Sequence, residues 1–185
     1  MAVVLSLCWP ILVAAVFVFG ASAIIHMVLP IHRNDLRQLP KEDEVMAALR
    51  GFDIPPGDYG MPRATSMSAM KDPAFAAKMK QGPVAVMTFM SGSMAMGGSF
   101  VQWFLYCVVV GGVVAYVTGH TLPVGTGYRA VFKIAGATAF ACYAMALPPF
   151  SIWYKRNWIT TLKGMFDGLI YALLTAGTFG WLWPR

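Results

Sequence analysis

Charged residues are scarce in this chain. They make up 12% of its 185 residues, whereas hydrophobic residues make up 58%; a typical soluble domain has about 25% charged residues. A chain of this composition cannot cover itself with polar surface in water, which excludes an ordinary soluble domain and indicates an integral membrane protein. Its length predicts a single membrane domain over residues 1–185. In such a protein a net charge of +6 marks cytoplasmic loops, so we expect no nucleic-acid partner.

Motifs for familiar chemistry are also missing. The three cysteines, Cys8, Cys107 and Cys142, each lie alone in an apolar run, which is not the spacing of a disulfide framework or a zinc site. The sequence contains no P-loop, HExxH or GxSxG pattern. His26 and His120 are predicted on opposite sides of the membrane, which does not suit a haem. We therefore predict no catalytic residue and no cofactor, and we expect bound lipid.

Four apolar runs are long enough to cross a bilayer, which needs about 20 residues per helix. The predicted spans are about 5–29, 100–118, 129–147 and 164–183. Pro148-Pro149 is expected to close the third span. Residues 20–23 resemble a signal-peptidase site, but no Lys or Arg precedes them and the apolar run continues to Leu29, so we favour a retained span. The predicted fold is all-α: a four-transmembrane-helix bundle.

Lys and Arg are concentrated on one side of this predicted bundle. Eight lie in the loop at about 31–99 and three in the turn at 154–163, whereas only Arg129, Lys133 and Arg185 lie on the other side. Loops rich in Lys and Arg are typically cytoplasmic. We expect the long loop and the turn to be cytoplasmic and both termini to be periplasmic or exterior, in a bacterial inner (plasma) membrane.

The long cytoplasmic loop is too small and too poor in large apolar residues to form a core alone. It bears two predicted short amphipathic helices, one over 40–51 and one over 72–82, in which Asp72 is the N-cap and Pro73 the first helical residue. We expect both to lie on the membrane surface or against the inner ends of the bundle.

The rest of the loop is less defined by its sequence. Residues 54–60 are rich in Pro and Gly and are interpreted as a turn-rich connector. Residues 83–90 are apolar but too short to cross a bilayer. For residues 83–99 the sequence leaves open an interfacial segment, a docked strand, a re-entrant piece and a part of a longer helix.

Small residues recur at four-residue spacing in the predicted spans. Membrane helices associate through close packing of small side chains, because lipid tails are as apolar as leucine. These stripes therefore predict helix–helix contacts, within the bundle or between protomers. The predicted packing residues are Gly168, Ala172, Ala176, Gly180, Gly111, Ala115 and Gly119.

Two ionisable residues lie inside the predicted spans at similar depth. His26 is about a turn from the inner end of the first span, and Asp167 is about a turn from the inner end of the fourth. Ionisable groups in a membrane are costly and usually paired. We predict an intramembrane polar pair of His26 and Asp167, with Lys163 as the alternative partner of Asp167. Such a pair is either structural or part of a proton relay or ligand contact.

Methionines cluster before the second span. Thioether sulfur favours copper(I), and imidazole adds a further ligand type; methionine also fills irregular gaps in cores. The candidate metal ligands are Met87, Met90, Met94, Met96, His26 and His32.

Several segments resemble a group of small, uncharacterised bacterial inner-membrane proteins. The resemblance covers most of the chain and implies a bacterial membrane location and four spans; it implies no activity and no functional residues. The segments are SAIIHMVLP at 22–30, LPKED at 39–43, PPGDY at 55–59, DGLIY at 167–171 and FGWLWP at 179–184.

The leading functional prediction is a non-enzymatic accessory, assembly or scaffold subunit of a membrane complex, or a homo-oligomer. It follows from the packing stripes and from the missing catalytic motifs. One alternative is permeation or handling of a small solute, proton or metal such as copper. Another is a membrane enzyme acting on lipid or quinone, for which the available polar residues are His26, His32, Asp53, Asp58 and Asp167.

Overall fold

A computed structural model describes residues 6–92 and 96–185 of the chain. Leu5, at the predicted start of the first span, and Met94 lie outside the described residues. The chain forms two compact units, the first built from residues up to 37 and from 96 to 185, the second from residues 38 to 92. The protein is mostly helical, with 68% of its residues in helices.

The elements follow one another in a simple order. They are α1 (Cys8–Ala23), α2 (Glu42–Arg50), β1 (Gly57–Met61), α3 (Met67–Met70), α4 (Pro73–Gln81), β2 (Ala85–Phe89), α5 (Met96–Thr121), α6 (Tyr128–Tyr143), α7 (Pro148–Tyr154) and α8 (Trp158–Trp181).

Among the described residues, three helical segments are long and apolar enough to cross a membrane. They are Cys8–Val28, Met96–Thr121 and Tyr128–Tyr154. These segments confirm a multi-pass helical membrane protein. Pro148 does not simply close the third segment. The helix α6 already ends at Tyr143, and Pro148 is the first residue of α7. A proline is tolerated at a first helical position because the N–H that it lacks has no partner within the helix there.

The fourth predicted span, 164–183, overlaps α8 over 164–181 and is not confirmed as a span. Lys163 and Asp167 interrupt its apolar run, and several threonines lower its hydropathy further. The buried side of α8 nevertheless includes Asp167 together with alanines and Phe179. This helix is therefore packed as part of the first unit, although its apolar run is too weak for it to count as a membrane span by composition.

The four longest helices of the first unit contact one another in the order α1, α5, α6, α8 and back to α1. Small residues allow the approach of α6 to α8. A Cβ added at Gly168 would lie 2.9 Å from the Cβ of Ala144 and 3.2 Å from the carbonyl carbon of Tyr143. A Cβ at Gly180 would lie 2.7 Å from the ring of Tyr128. Only glycine fits at these two positions without movement of the neighbouring helix.

The other predicted packing residues lie in the same unit. Ala115, Ala172 and Ala176 are buried, and Gly111 approaches Ile11 of α1, where an added Cβ would lie 3.0 Å from Cγ2. Gly119 is half-buried near the end of α5. The small-residue stripes of α5 and α8 thus include contacts with other helices of this chain.

The second unit contains an antiparallel pair of strands that the sequence does not predict as such. Gly57 of β1 pairs with Phe89 of β2, and Met61 pairs with Ala85. Residues 57–60 were expected in a connector, and the structure instead forms β1 there. For residues 83–90, among the alternatives left open, the structure gives a strand.

The short helices of the second unit follow their predicted signals. In α4 the Asp72 carboxylate accepts a hydrogen bond from the Ala74 N–H at 2.8 Å, and Gly82 ends the helix at a φ of 64°. A positive φ is available to glycine at little cost. The helix predicted over 40–51 is α2, which has three acidic residues in its first turn.

Replacement of Gly168 by alanine is expected to destabilise the protein by about 1–3 kcal/mol, because the new methyl group meets backbone atoms that cannot move aside. Gly112→Ala in α5 is the matched control, since nothing lies within 4 Å of an added Cβ there. Thermal unfolding in detergent, followed by circular dichroism, measures both. Equal midpoints for the two variants would contradict the close contact between α6 and α8.

Candidate functional site

The end of α1 is shaped by a change of helix type. Residues Ile24–Val28 form a π-helical turn, in which the Leu29 N–H donates to the Ile24 carbonyl at 3.0 Å. A single 3-10 turn, Pro30–His32, follows it. These two turns bring the rings of His26 and His32 together, with centroids 4.4 Å apart. Single π turns within helices often occur at functional sites.

Asp167 of α8 faces both histidines. Its Oδ2 lies 3.0 Å from Nε2 of His32 and 3.9 Å from Nε2 of His26. The aspartate side chain is 6% exposed, that of His32 is 14% exposed and that of His26 is 49% exposed. One ligand atom from each of the three residues lies within 4.8 Å of the others. We name these three residues the His26–His32–Asp167 cluster.

A second carboxylate, that of Asp35, contacts the ring nitrogen of His32 that does not face Asp167. Asp35 accepts a hydrogen bond from Nδ1 of His32 at 2.7 Å and another from the Lys163 ammonium at 2.8 Å. Lys163 also donates to the Ile31 carbonyl at 2.7 Å. Burial acts to raise the pKa of Asp35, but the hydrogen bonds from Lys163 and His32 outweigh it and hold that pKa below its ordinary value of 3.8.

The ionised Asp35 fixes the proton of His32. An ionised carboxylate only accepts hydrogen bonds, so Nδ1 of His32 must carry the proton that it donates. In the neutral imidazole, Nε2 therefore presents a lone pair toward Asp167. This atom is buried and has no hydrogen-bond partner among the described residues, since its 3.0 Å contact with Asp167 lacks hydrogen-bond geometry. This 3.0 Å contact is satisfied either by a proton on Nε2, which makes His32 and Asp167 an ion pair, or by a cation bound to both atoms.

The cluster borders a cavity of about 570 Å³ in the first unit. Aromatic side chains from three helices line much of this cavity, and Tyr171 places its hydroxyl 3.5 Å from Nε2 of His26. The cavity is accessible to ligands, because His26 is half exposed. A ligand in it would lie beside the imidazoles and the carboxylate.

The predicted site residues are distributed over both units. His26 and Asp167 lie close together, and His32, predicted as a candidate metal ligand and as a polar residue available to a membrane enzyme, joins them. Lys163, proposed as an alternative partner of Asp167, binds Asp35 instead. Asp53 and Asp58 belong to the second unit.

The candidate methionine ligands are also divided. Met87 lies in β2 and Met90 directly follows it, both in the second unit. Met96 begins α5 and lines a smaller cavity with His26, whereas Met94 lies outside the described residues.

Asp35 is the functional residue that the sequence analysis did not single out. The available signal was its three-residue spacing from His32, which puts the two side chains on one side of a short turn. Its contact with Lys163 spans 128 residues of sequence and has no local signal.

The Asp35 contacts predict a specific acid sensitivity. A carboxylate whose pKa is lowered by folding stabilises the protein fully above its ordinary value, here 3.8, and this contribution is lost as the pH falls through the lower pKa of the folded state. Asp35→Asn should lower the thermal midpoint at neutral pH, and its difference from the wild type should shrink on acidification.

The matched control for this charge removal is Glu44→Gln, because Glu44 pairs with Lys41 where both side chains are more than two-thirds exposed. Such a pair contributes little to stability. If the thermal midpoints of the two variants depended on pH in the same way, Asp35 would not be held by Lys163 and His32.

The arrangement provides two imidazole nitrogens and one carboxylate oxygen around a common point. Imidazole with carboxylate is a donor set that suits zinc and other divalent transition metals.

Comparison of the chain with protein-family models, with curated proteins and with solved structures finds no match.

Proposed function

We propose that this protein is a multi-pass membrane protein that binds a divalent transition-metal ion, such as Zn²⁺, through His26, His32 and Asp167. The observation that carries the proposal is the position of Nε2 of His32. It faces Asp167 at 3.0 Å, is buried, and has no hydrogen-bond partner among the described residues. A metal ion bound to both atoms would satisfy this contact.

The distances support a single ion. With bonds of about 2.0–2.1 Å, neighbouring ligands of tetrahedral zinc lie about 3.3 Å apart. In the structure, Asp167 Oδ2 lies 3.0 Å from Nε2 of His32 and 3.9 Å from Nε2 of His26. The donor atoms of all three residues lie within 4.8 Å of one another.

The second carboxylate gives further support. Metal-bound histidines usually donate their other ring N–H to a carboxylate, which fixes the tautomer and makes the ligand nitrogen more basic. Asp35 has this relation to His32. Three protein donors would leave a fourth coordination position for another ligand, which is typical of catalytic zinc sites.

We further propose that α8 is a fourth membrane span in a bacterial inner membrane, with the 38–92 region and the 154–163 turn cytoplasmic. The concentration of Lys and Arg in these segments supports this orientation. The cluster would then lie near the cytoplasmic ends of α1 and α8. An accessory, assembly or scaffold subunit, or a homo-oligomer, with bound lipid stays a prediction. The His26–His32–Asp167 cluster is the feature that favours metal binding.

Metal-free protein titrated with Zn²⁺ is expected to bind one ion per chain and to gain thermal stability, by about 2.7 kcal/mol when free zinc is a hundred times its Kd. Asp167→Asn and His32→Gln should abolish this gain, because each removes a donor. Asp35→Asn should weaken zinc binding by about 10- to 100-fold, as loss of a carboxylate behind a metal-bound histidine usually does.

His120→Gln is the matched control, since His120 bonds its own helix at the Tyr116 carbonyl, away from the cluster. Ca²⁺ is the control ion, because it prefers all-oxygen sites. Zinc binding that is unchanged in Asp167→Asn, or absent in the wild type, would refute the proposal.

The fourth span is tested by labelling single cysteines with a membrane-impermeant maleimide in intact cells. The native cysteines Cys8, Cys107 and Cys142 are first replaced by alanine, and a cysteine is then introduced at Lys155 or at Arg185. If α8 crosses the membrane, only the Arg185 position is labelled from outside. Labelling of both positions, or of neither, would show that α8 does not cross.

A further inference from the structure

The cavity beside the cluster has a wall of aromatic rings. Trp103 and Tyr106 come from α5, Tyr143 from α6 and Tyr171 from α8. The rings contact one another in an edge-to-face or stacked manner, with centroids 5.5–6.4 Å apart. Its volume of about 570 Å³ lies within the range of ordinary ligand pockets.

The polar atoms of this wall are already engaged. The Trp103 indole N–H donates to the Ser22 hydroxyl at 2.7 Å, and the Tyr106 hydroxyl donates to the Cys142 carbonyl at 3.1 Å. These two groups are therefore not free to bind a ligand, and the ring carbons are left as the contact surface. Such a surface binds an apolar group, for example an alkyl chain.

The cavity also has a cationic group that the cluster does not use. Arg156 lines it, in the connection between α7 and α8, next to Asn157, the N-cap of α8. The guanidinium makes no ion pair or hydrogen bond with any part of the chain that the structure describes, whereas the Arg156 backbone N–H is held by the Phe150 carbonyl at 3.3 Å. A fixed backbone with a free guanidinium suits a phosphate or carboxylate, which arginine binds through two parallel N–H groups.

A bound metal ion would add a second anchor for the same anion. Three protein donors leave one coordination position open, and an anionic oxygen is a suitable fourth ligand. Arg156 and the cluster thus provide the charged part of the cavity, and the aromatic rings provide the apolar part. The two chemistries together match a molecule that is anionic at one end and apolar at the other.

We propose that this cavity binds an amphiphile with an anionic oxygen head group, which Arg156 and the cluster-bound metal hold while its tail lies against the Trp103, Tyr106 and Tyr143 rings. This inference rests on the proposed metal binding, and it adds the ligand class of the same site. A phosphate head group is the form tested, because it offers oxygens to both the guanidinium and the metal.

The experiment uses the full chain in a neutral detergent, loaded with Zn²⁺ and titrated with dodecyl phosphate, and counts bound molecules by native mass spectrometry. One dodecyl phosphate per chain is expected to bind. Arg156→Gln should weaken this binding at least about tenfold, because it removes a charge-assisted hydrogen bond. Zinc occupancy, read in the same spectra, should not change in this variant.

Lys155→Gln is the matched control, since it removes the same charge from the neighbouring residue, which does not line the cavity. Inorganic phosphate tests for a free anion, and dodecyltrimethylammonium tests for a tail without an anionic head. The inference is overturned if Arg156→Gln binds dodecyl phosphate as the wild type does, or if either comparison compound binds equally well, with zinc still bound. Absence of zinc from the wild type would instead overturn the proposed function, and the metal-held head group with it.

Discussion

The carboxylate of Asp35 holds together the parts from which the site is made. It accepts hydrogen bonds from His32, at the end of the α1 segment, and from Lys163, in the first turns of α8. The first bond decides which nitrogen of His32 carries the proton; the second ties the chain that leaves α1 to α8. Without this carboxylate, His32 would be free to rotate, and the approach of its other nitrogen to Asp167 would have no fixed geometry.

Helix packing and site geometry have a common origin in α8. Gly168 lets α8 approach the backbone of Tyr143 in α6, and its neighbour in sequence is Asp167. The same approach puts the rings of Tyr143 and Tyr171 5.5 Å apart, where they form part of the cavity wall. Thr175 and Thr178 of α8 satisfy their hydroxyls within the helix, by donating to the carbonyls of Tyr171 and Leu174. Asp167 finds its partners outside its own helix, in His26 and His32, which follow α1 in the chain.

Much of the helical framework could be predicted from the sequence, because apolar runs and capping residues are local signals. Asp72 and Gly82 delimit α4 in the structure as they do in the sequence. The strand pairing of β1 with β2 was not predictable in this way, since Gly57–Met61 lacks alternating apolar residues and its partner lies in a distant segment.

The candidate site also combines contacts that could be predicted from the sequence with contacts that could not. The proximity of His26 and Asp167 was predicted from their similar depth in two spans. The position of His32 depends on how the chain turns after Pro30, and the contact of Asp35 with Lys163 depends on which face of α8 meets that turn. Neither is encoded in the spacing of residues along the sequence.

The π-helical turn at Ile24–Val28 has a consequence for how such a site can arise or disappear. A π turn is equivalent to one residue inserted into an α-helix, and one residue corresponds to a rotation of about 100° around the helix axis. The residues before the turn keep their contacts with α5 and α8, while the segment from His26 onward is rotated relative to them. Loss of a single residue here would leave the bundle intact and remove a donor from the cluster. The length of α1, as much as the identity of its residues, therefore determines whether the side chains of the His26–His32–Asp167 cluster lie together.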